Sequence, residues 1–335
     1  MANIREVAKL AGVSPASVSR ILNNDPTYHA TEETVKRVFD VAKKLNYTVP
    51  ESYRKKAKTF RLGCISKMTV EHTKDSYFSS IANSIQNFCQ QNNIEFELLQ
   101  SQFDIESPSV LEAFLNSNLN GVIIMSDIEN GIIDEILQRG ISIVGIDSSC
   151  DKIDNIRYNR YQAGCNAMQY LISSGHKDIA YIGSNIYPRN VWEVGRFDAY
   201  KKMLSTHNLP MHQDWIIDCK WQRETCYNLV KQLLTSSHRP SALFVASDHM
   251  AIAAMSAIND CKLKIPEDIS IIGITDIEVS KYLNPPLTTI KIPQEEIGVI
   301  AAQTLLARIN GDKTVAKQIY IPTELIERKS VKNLT

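Results

Sequence analysis

From residue 62 onward, short apolar runs alternate with amphipathic stretches, and this alternation constrains the fold more than any other feature. "LGCISKM" precedes a helix-like stretch from Ser76 to Gln91. "IEFELLQ", "GVIIMSD" and "SIVGID" follow, separated by helical periods around 108–116 and 131–139. A second series interleaves "DIAYIG", "WIID", "ALFVASD" and "ISIIGITD" with helical stretches at 161–174, 192–207, 221–236 and 249–261. Continuously apolar strands interleaved with helices form parallel sheets covered on both faces. Two series predict two lobes. In such sheets ligands bind beyond the C-terminal strand ends. Here those ends carry Ser66, Ser126 and Asp127, Asp147, Ser247 and Asp248, and Thr275 and Asp276.

The first 58 residues read differently. Asn3 with Glu6 three places on is a capping-box spacing, and Ile4, Val7, Ala8 and Ala11 then share one helix face. Gly12 ends that helix as a residue able to take positive φ. Ser14 is the next N-cap, and Pro15 takes the first helical position, where its missing N–H is harmless. Val18, Ile21 and Leu22 face inward, which leaves Ala16, Ser17, Ser19 and Arg20 outside. A third helix starts at Thr31, with Val35, Val38, Ala42 and Leu45 inward. Two short helices joined by a Gly turn match a helix-turn-helix. Small outer residues would let the second helix sink into a major groove about 12 Å wide. A three-helix packing module with no nucleic-acid role gives the same pattern.

Net charge is zero, yet residues 1–58 carry 11 Lys and Arg against 6 Asp and Glu, so the remainder is acidic by the same margin. That asymmetry is expected if only the head meets phosphate. Residues 47–61, "YTVPESYRKKAKTFR", have no apolar period and carry Arg54, Lys55, Lys56, Lys58 and Arg61, so they read as a solvated linker. The seven cysteines are scattered, odd in number and without a C-x-x-C pair. This suits reduced thiols and supports no zinc site or disulfide framework. No apolar run has secretory or membrane-spanning length, so a cytoplasmic chain without membrane contact is expected. G-x-G-x-x-G, a phosphate loop, G-x-S-x-G and H-E-x-x-H are all missing from the body, so no motif marks enzyme, metal or cofactor chemistry.

"NIREVAKLAGVSPASVSRILNND" resembles the head of the LacI/GalR family of bacterial transcription repressors, with Ser17 replacing the usual Thr. The resemblance implies that Pro15, Ala16 and Arg20 face bases. Pro15 and Ala16 offer only apolar contact, such as with a thymine methyl, so Arg20 is the expected base reader. Ser14, Ser19, Asn23 and Thr31 would position phosphates, and Ser17 shares that surface. The family hinge folds on its operator and wedges a Leu into the minor groove. Here the usual A-R-x-L reads Tyr53, Arg54, Lys55, Lys56, with Lys56 or Ala57 at the Leu place. Hinge binding is therefore expected to be phosphate-based and salt-sensitive.

"NRYQAGCNAMQYLISSGHKDIAYIG", "ALFVASDHMAIAAMSAI", "LKIPEDISIIGITDI" and "PPLTTIKIP" resemble the body blocks of the same family. They imply an all-α helix-turn-helix head (1–46), a hinge (47–61) and an α/β two-lobed body (62–335) of the type I periplasmic-binding-protein fold. Lobe one would hold residues 62–159 and 291–319, and lobe two 160–290 and 320–330. The resemblance assigns Arg196 to grip sugar hydroxyls or an anionic corepressor. Trp221 would stack on a pyranose, or is a core Trp at a helix start. Asp147 is a ligand-gripping Asp or a turn cap. Ser66 lines the cleft, and Tyr77 and Phe78 line it or pack in the core. Ser247 replaces a frequent Asn, and Asp248 is a ligand or a helix cap. Asp276 lies one place after the usual ligand Asp, whose position is Thr275. His176 reads as a packed structural residue.

The turn at 23–27 and "TDI" in place of the common "DD" bring the resemblance nearest to repressors of galactose or β-galactoside utilisation. The expected protein is a homodimer on a palindromic operator, since a head reading half a palindrome needs a twofold partner. A small sugar in the cleft, galactose or a β-galactoside, would control operator affinity. Two alternatives stay open. One is a cytoplasmic sugar-binding protein or sugar-modifying enzyme with a non-functional head. The other is a catabolite-control regulator with a protein corepressor.

Overall fold

The computed structural model describes residues 3–23, 28–47, 60–66, 76–100, 107–125, 127–183 and 195–335. The chain divides into two units, residues 1–59 and 60–335.

The first unit holds α1 (Ile4–Ala11), α2 (Pro15–Leu22) and α3 (Glu32–Lys44). Each starts on a side-chain cap. Asn3 accepts from the amides of Arg5 and Glu6, and the Glu6 carboxylate accepts from the Asn3 amide in return. Gly12 takes φ 67°, the left-handed conformation that closes α1 at little cost for glycine. Val7, Ala8, Ala11, Val18, Ile21, Val38 and Ala42 form the buried core of this unit. The Arg37 Nε donates to the Ala11 carbonyl at 3.0 Å and ties α3 to the end of α1.

The second unit contains two six-stranded sheets. Sheet one is built on β1 (Arg61–Ser66), β2 (Glu95–Gln100), β3 (Gly121–Met125), β4 (Ser142–Ile146), β5 (Asp154–Tyr158) and β11 (Gln318–Ile321), in the order β11-β5-β4-β3-β1-β2 and all parallel. Sheet two uses β6 (Ile179–Gly183), β7 (Ile216–Asp218), β8 (Ala242–Val245), β9 (Ser270–Thr275), β10 (Thr288–Lys291) and β12 (Glu324–Ile326), in the order β12-β10-β9-β8-β6-β7. Only β12 in this sheet runs antiparallel to its neighbour, β10. The helices α4 (Ser76–Gln91), α5 (Pro108–Leu115), α6 (Asn130–Gln138), α7 (Arg160–Ser173), α8 (Gly195–Thr206), α9 (Arg223–Leu234), α10 (Asp248–Asp260) and α11 (Gln294–Ile309) lie between the strands in sequence. Strands such as β3 and β8 are buried at every position, as expected for a sheet covered on both faces.

The chain passes from sheet one to sheet two after β5, returns after β10, and crosses again between Ile321 and Glu324. Strand β11 therefore keeps residues 320–321 in sheet one, two positions beyond the crossing expected at 319. Strand β5 carries Asp154, which stays buried because it is paired. The Arg308 guanidinium clamps the Asp154 carboxylate at 2.6 and 2.7 Å, and the Lys317 amide donates to it at 2.7 Å. His176 is 2% exposed, with Nδ1 3.0 Å from the Ser241 hydroxyl and Nε2 3.1 Å from the Lys332 carbonyl, so it staples the C-terminal strap to sheet two. Among the described residues no helix is long and apolar enough to cross a membrane, and no cluster of His, Cys, Asp and Glu could hold a metal ion.

Candidate functional site

Two surfaces carry the sequence-derived candidates. The first is α2. The Ser14 hydroxyl accepts from the Ser17 amide at 3.0 Å, and Pro15 occupies the first helical position. Ser14, Pro15, Ala16 and Arg20 are exposed, whereas Ser17 and Ser19 are half-buried. Ser17 is held by the Tyr28 hydroxyl, which donates to its Oγ at 2.8 Å. The same Tyr28 ring lies 5.6 Å beneath the Arg20 guanidinium and limits where that side chain reaches. Tyr28 carried no mark in the helical periodicity, because it sits outside the helices. Asn23 donates to the Ser19 carbonyl at 2.8 Å, and Thr31 accepts from the Thr34 amide at 3.3 Å, so both serve as helix caps. Tyr53, Arg54, Lys55 and Lys56 lie outside the described residues.

The second surface is where the strands of the second unit end. Parallel strands bring all their C-termini to one edge, which places Ser66, Asp147 and Tyr158 along the same rim of sheet one. Asp147 follows β4 at φ 55°, and its side chain is 3% exposed. The Tyr77 hydroxyl, from the first turn of α4, donates to Asp147 Oδ2 at 2.7 Å, and an Arg160 guanidinium nitrogen stands 3.2 Å from the same oxygen. Burial and the nearby Asp147 charge hold the Tyr77 phenol protonated well above its ordinary range. Burial opposes the Arg160 charge, but Asp147, Tyr158 and Tyr77 together outweigh it and keep the guanidinium protonated. Phe78 packs edge-on against Tyr77, 5.1 Å between centroids.

From the sheet-two side, α8 delivers Arg196. Its guanidinium donates to the Tyr158 hydroxyl and lies between two rings, 5.8 Å from Tyr158 and 5.5 Å from Trp221. Trp221 precedes α9 instead of starting it. Lys220 and Trp221 take φ 50° and 58°, and the loop is fixed by the Lys220 amide donating to Asp218 at 2.9 Å. Three buried polar atoms of this region have no hydrogen-bond partner among the described residues: Ser66 Oγ, Asp147 Oδ1 and Arg196 Nε. Buried polar atoms are normally paired, so an unpaired group of them marks a place where a polar ligand fits.

The structure separates the remaining candidates from that cluster. Asp248 is fully buried, and both its oxygens are taken. Oδ1 accepts from Thr289 Oγ1 at 2.6 Å, and Oδ2 from Ser280 Oγ at 2.6 Å and the Ile277 amide at 3.2 Å. It is a tie within the sheet-two lobe. Ser247 caps α10 by accepting from the Met250 amide at 3.3 Å. Asp276 is paired with Arg328 at 2.6 Å, and the Thr275 hydroxyl donates to the Ile274 carbonyl. Tyr158 and Arg160, which link Asp147 to Arg196, went unmarked in the sequence. The available signal was their position at a strand end followed by the Asn159 cap of α7.

Residues 3–49 match the bacterial regulatory proteins of the lacI family, and residues 168–331 match the periplasmic binding protein-like domain. A probable HTH-type transcriptional repressor ExuR from Bacillus subtilis (strain 168) is 33% identical over the whole of both chains. The chain belongs to the LacI family of bacterial regulatory proteins. An HTH-type transcriptional repressor PurR from Actinobacillus pleuropneumoniae serotype 3 (strain JL03) is also 33% identical, over all of this chain and 99% of the relative. These LacI-family relatives are repressors and not enzymes. The lac repressor dimer bound to operator and the anti-inducer ONPF shares the fold, with a TM-score of 0.71 at 23% identity over 99% of each chain. Neither relative is named for galactose or a β-galactoside.

Proposed function

We propose that this LacI-family chain is a transcriptional repressor that binds a palindromic operator as a homodimer. Two copies of α2 would enter successive major grooves, and a small hydroxylated ligand in the cleft around Asp147 and Arg196 would set operator affinity. The observation that carries the reading is the exposed face of α2: small residues at Pro15 and Ala16, then Arg20, on a helix capped by Ser14. A helix with that face fits a major groove and offers a guanidinium that can bond a guanine bidentately. The repressor names of full-length relatives support the same reading. Galactose or a β-galactoside is the sugar to which the sequence resemblance points, and the orphaned atoms Ser66 Oγ and Asp147 Oδ1 suit sugar hydroxyls.

Selection of binding sites from a random duplex pool by the full-length protein tests the proposal. A pseudo-palindrome is the expected outcome. Arg20→Ala should cost about 1–3 kcal/mol on that site and relax preference at one base pair per half-site. Equal binding of selected and random duplexes by the parent protein would remove the repressor reading. Unchanged specificity in Arg20→Ala would remove the base-reading role alone.

A further inference from the structure

Tyr158 carries two guanidiniums. Arg160 lies 5.5 Å and Arg196 5.8 Å from its ring centroid, and Arg196 also donates to its phenol oxygen. Two cations gathered around one phenol repel each other. Asp147 answers one of them, through its contact with Arg160 at 3.2 Å. Arg196 has no carboxylate within ion-pair distance among the described residues, and its Nε is buried without an acceptor. Of the other acids expected in the cleft, Asp276 is bound to Arg328 at 2.6 Å and Asp248 is tied to Thr289, Ser280 and Ile277. Buried charge is ordinarily paired, so Arg196 stands here as a cation that no carboxylate among the described residues answers. The neighbouring orphans, Asp147 Oδ1 and Ser66 Oγ, suit hydroxyl groups.

We propose that the cleft takes a sugar acid, with the carboxylate held by Arg196 and Arg160 and the hydroxyls by Asp147 and Ser66. The inference rests on the effector-cleft reading above and replaces its neutral sugar with an anionic one. A guanidinium pairs with a carboxylate through two parallel hydrogen bonds, a geometry that a neutral hydroxymethyl group cannot reproduce. Phe78 and Trp221 supply aromatic surface near the two ends of the cluster.

Calorimetric titration of the full-length chain with matched pairs tests this: galactose against galacturonate, and glucose against glucuronate. Each pair differs only in a hydroxymethyl group against a carboxylate. At least one acid should bind about tenfold or more tightly than its neutral partner, and that advantage should shrink with added salt. Arg196→Gln should weaken the acid by about tenfold more than the neutral sugar. The unaltered protein already decides the matter, should the variant fold poorly. Neutral sugars binding as tightly as the acids, or neither acid binding at millimolar concentration, would overturn the proposal. If a neutral sugar alone releases a selected operator, the sugar acid fails and the repressor stands. If an acid binds selectively but no operator can be selected, the repressor fails and the anionic site stands.

Discussion

Asp248 lies wholly out of solvent and still accepts three hydrogen bonds, from Thr289, Ser280 and Ile277. Burial pushes its carboxyl up to about 6, although those donors pull the other way. An ordinary aspartate in the unfolded chain titrates near about 4. Between those pH values the folded state holds the proton and the unfolded state releases it. The stabilisation from this group is therefore complete below about pH 4 and is lost as pH rises through about 6, a change on the order of 3 kcal/mol. Urea unfolding at about pH 5 and about pH 8 should show roughly half of that loss in the parent chain and none of it in Asp248→Asn. An identical pH slope in both would contradict the assignment. Its position in "SDH" after an apolar run made Asp248 look like a ligand. Its role is set by Ser280 and Thr289, 32 and 41 residues away, which no local pattern shows. Arg196 was marked through the family resemblance, and Asp147 through that resemblance and its place at a strand end. Arg160 and Tyr158 were not, because their meaning depends on which strand ends share a rim.

Among the elements, the caps were the most legible part. Asn3, Gly12, Ser14 and Thr31 act within four residues of themselves, so spacing alone located α1, α2 and α3. Strand β5 was the opposite case. "DNIRY" reads as polar, yet Asp154, Asn155 and Arg157 are at most 5% exposed. Their polarity is absorbed by distant partners, Arg308 for Asp154 and Gln318 for Arg157, and hydropathy cannot see that compensation. Packing of α11 on α4 makes a further element-scale prediction. A Cβ at Gly298 would stand 1.9 Å from Ser84 Oγ and 2.7 Å from the Ile81 carbonyl oxygen. The second is backbone and cannot rotate away, so the helices must separate. Gly298→Ala should destabilise the body by roughly 1–3 kcal/mol in urea unfolding. Parental stability in that variant would mean the two helices do not approach this closely.

For the whole molecule, the repeated crossing between sheets lets one cleft draw on both. Asp147 and Tyr158 come from the edge of sheet one, Arg196 from a helix beside sheet two, and the Arg196–Tyr158 contact joins them. A ligand bridging the two sides would favour the joined arrangement, and any difference in operator affinity between arrangements then becomes control of the gene. Strand–helix alternation made the two lobes legible. The ligand class was not, since the proposal for it rests on how Asp147, Arg160 and Arg196, up to 49 positions apart, meet at one rim. The most direct test of the account measures one coupling from both sides with the full-length protein and a selected operator. Operator affinity is determined with and without saturating cleft ligand, and ligand affinity with and without saturating operator. The account predicts the same factor in both, about 5–150-fold. A ligand that binds the cleft while operator affinity stays unchanged would contradict it.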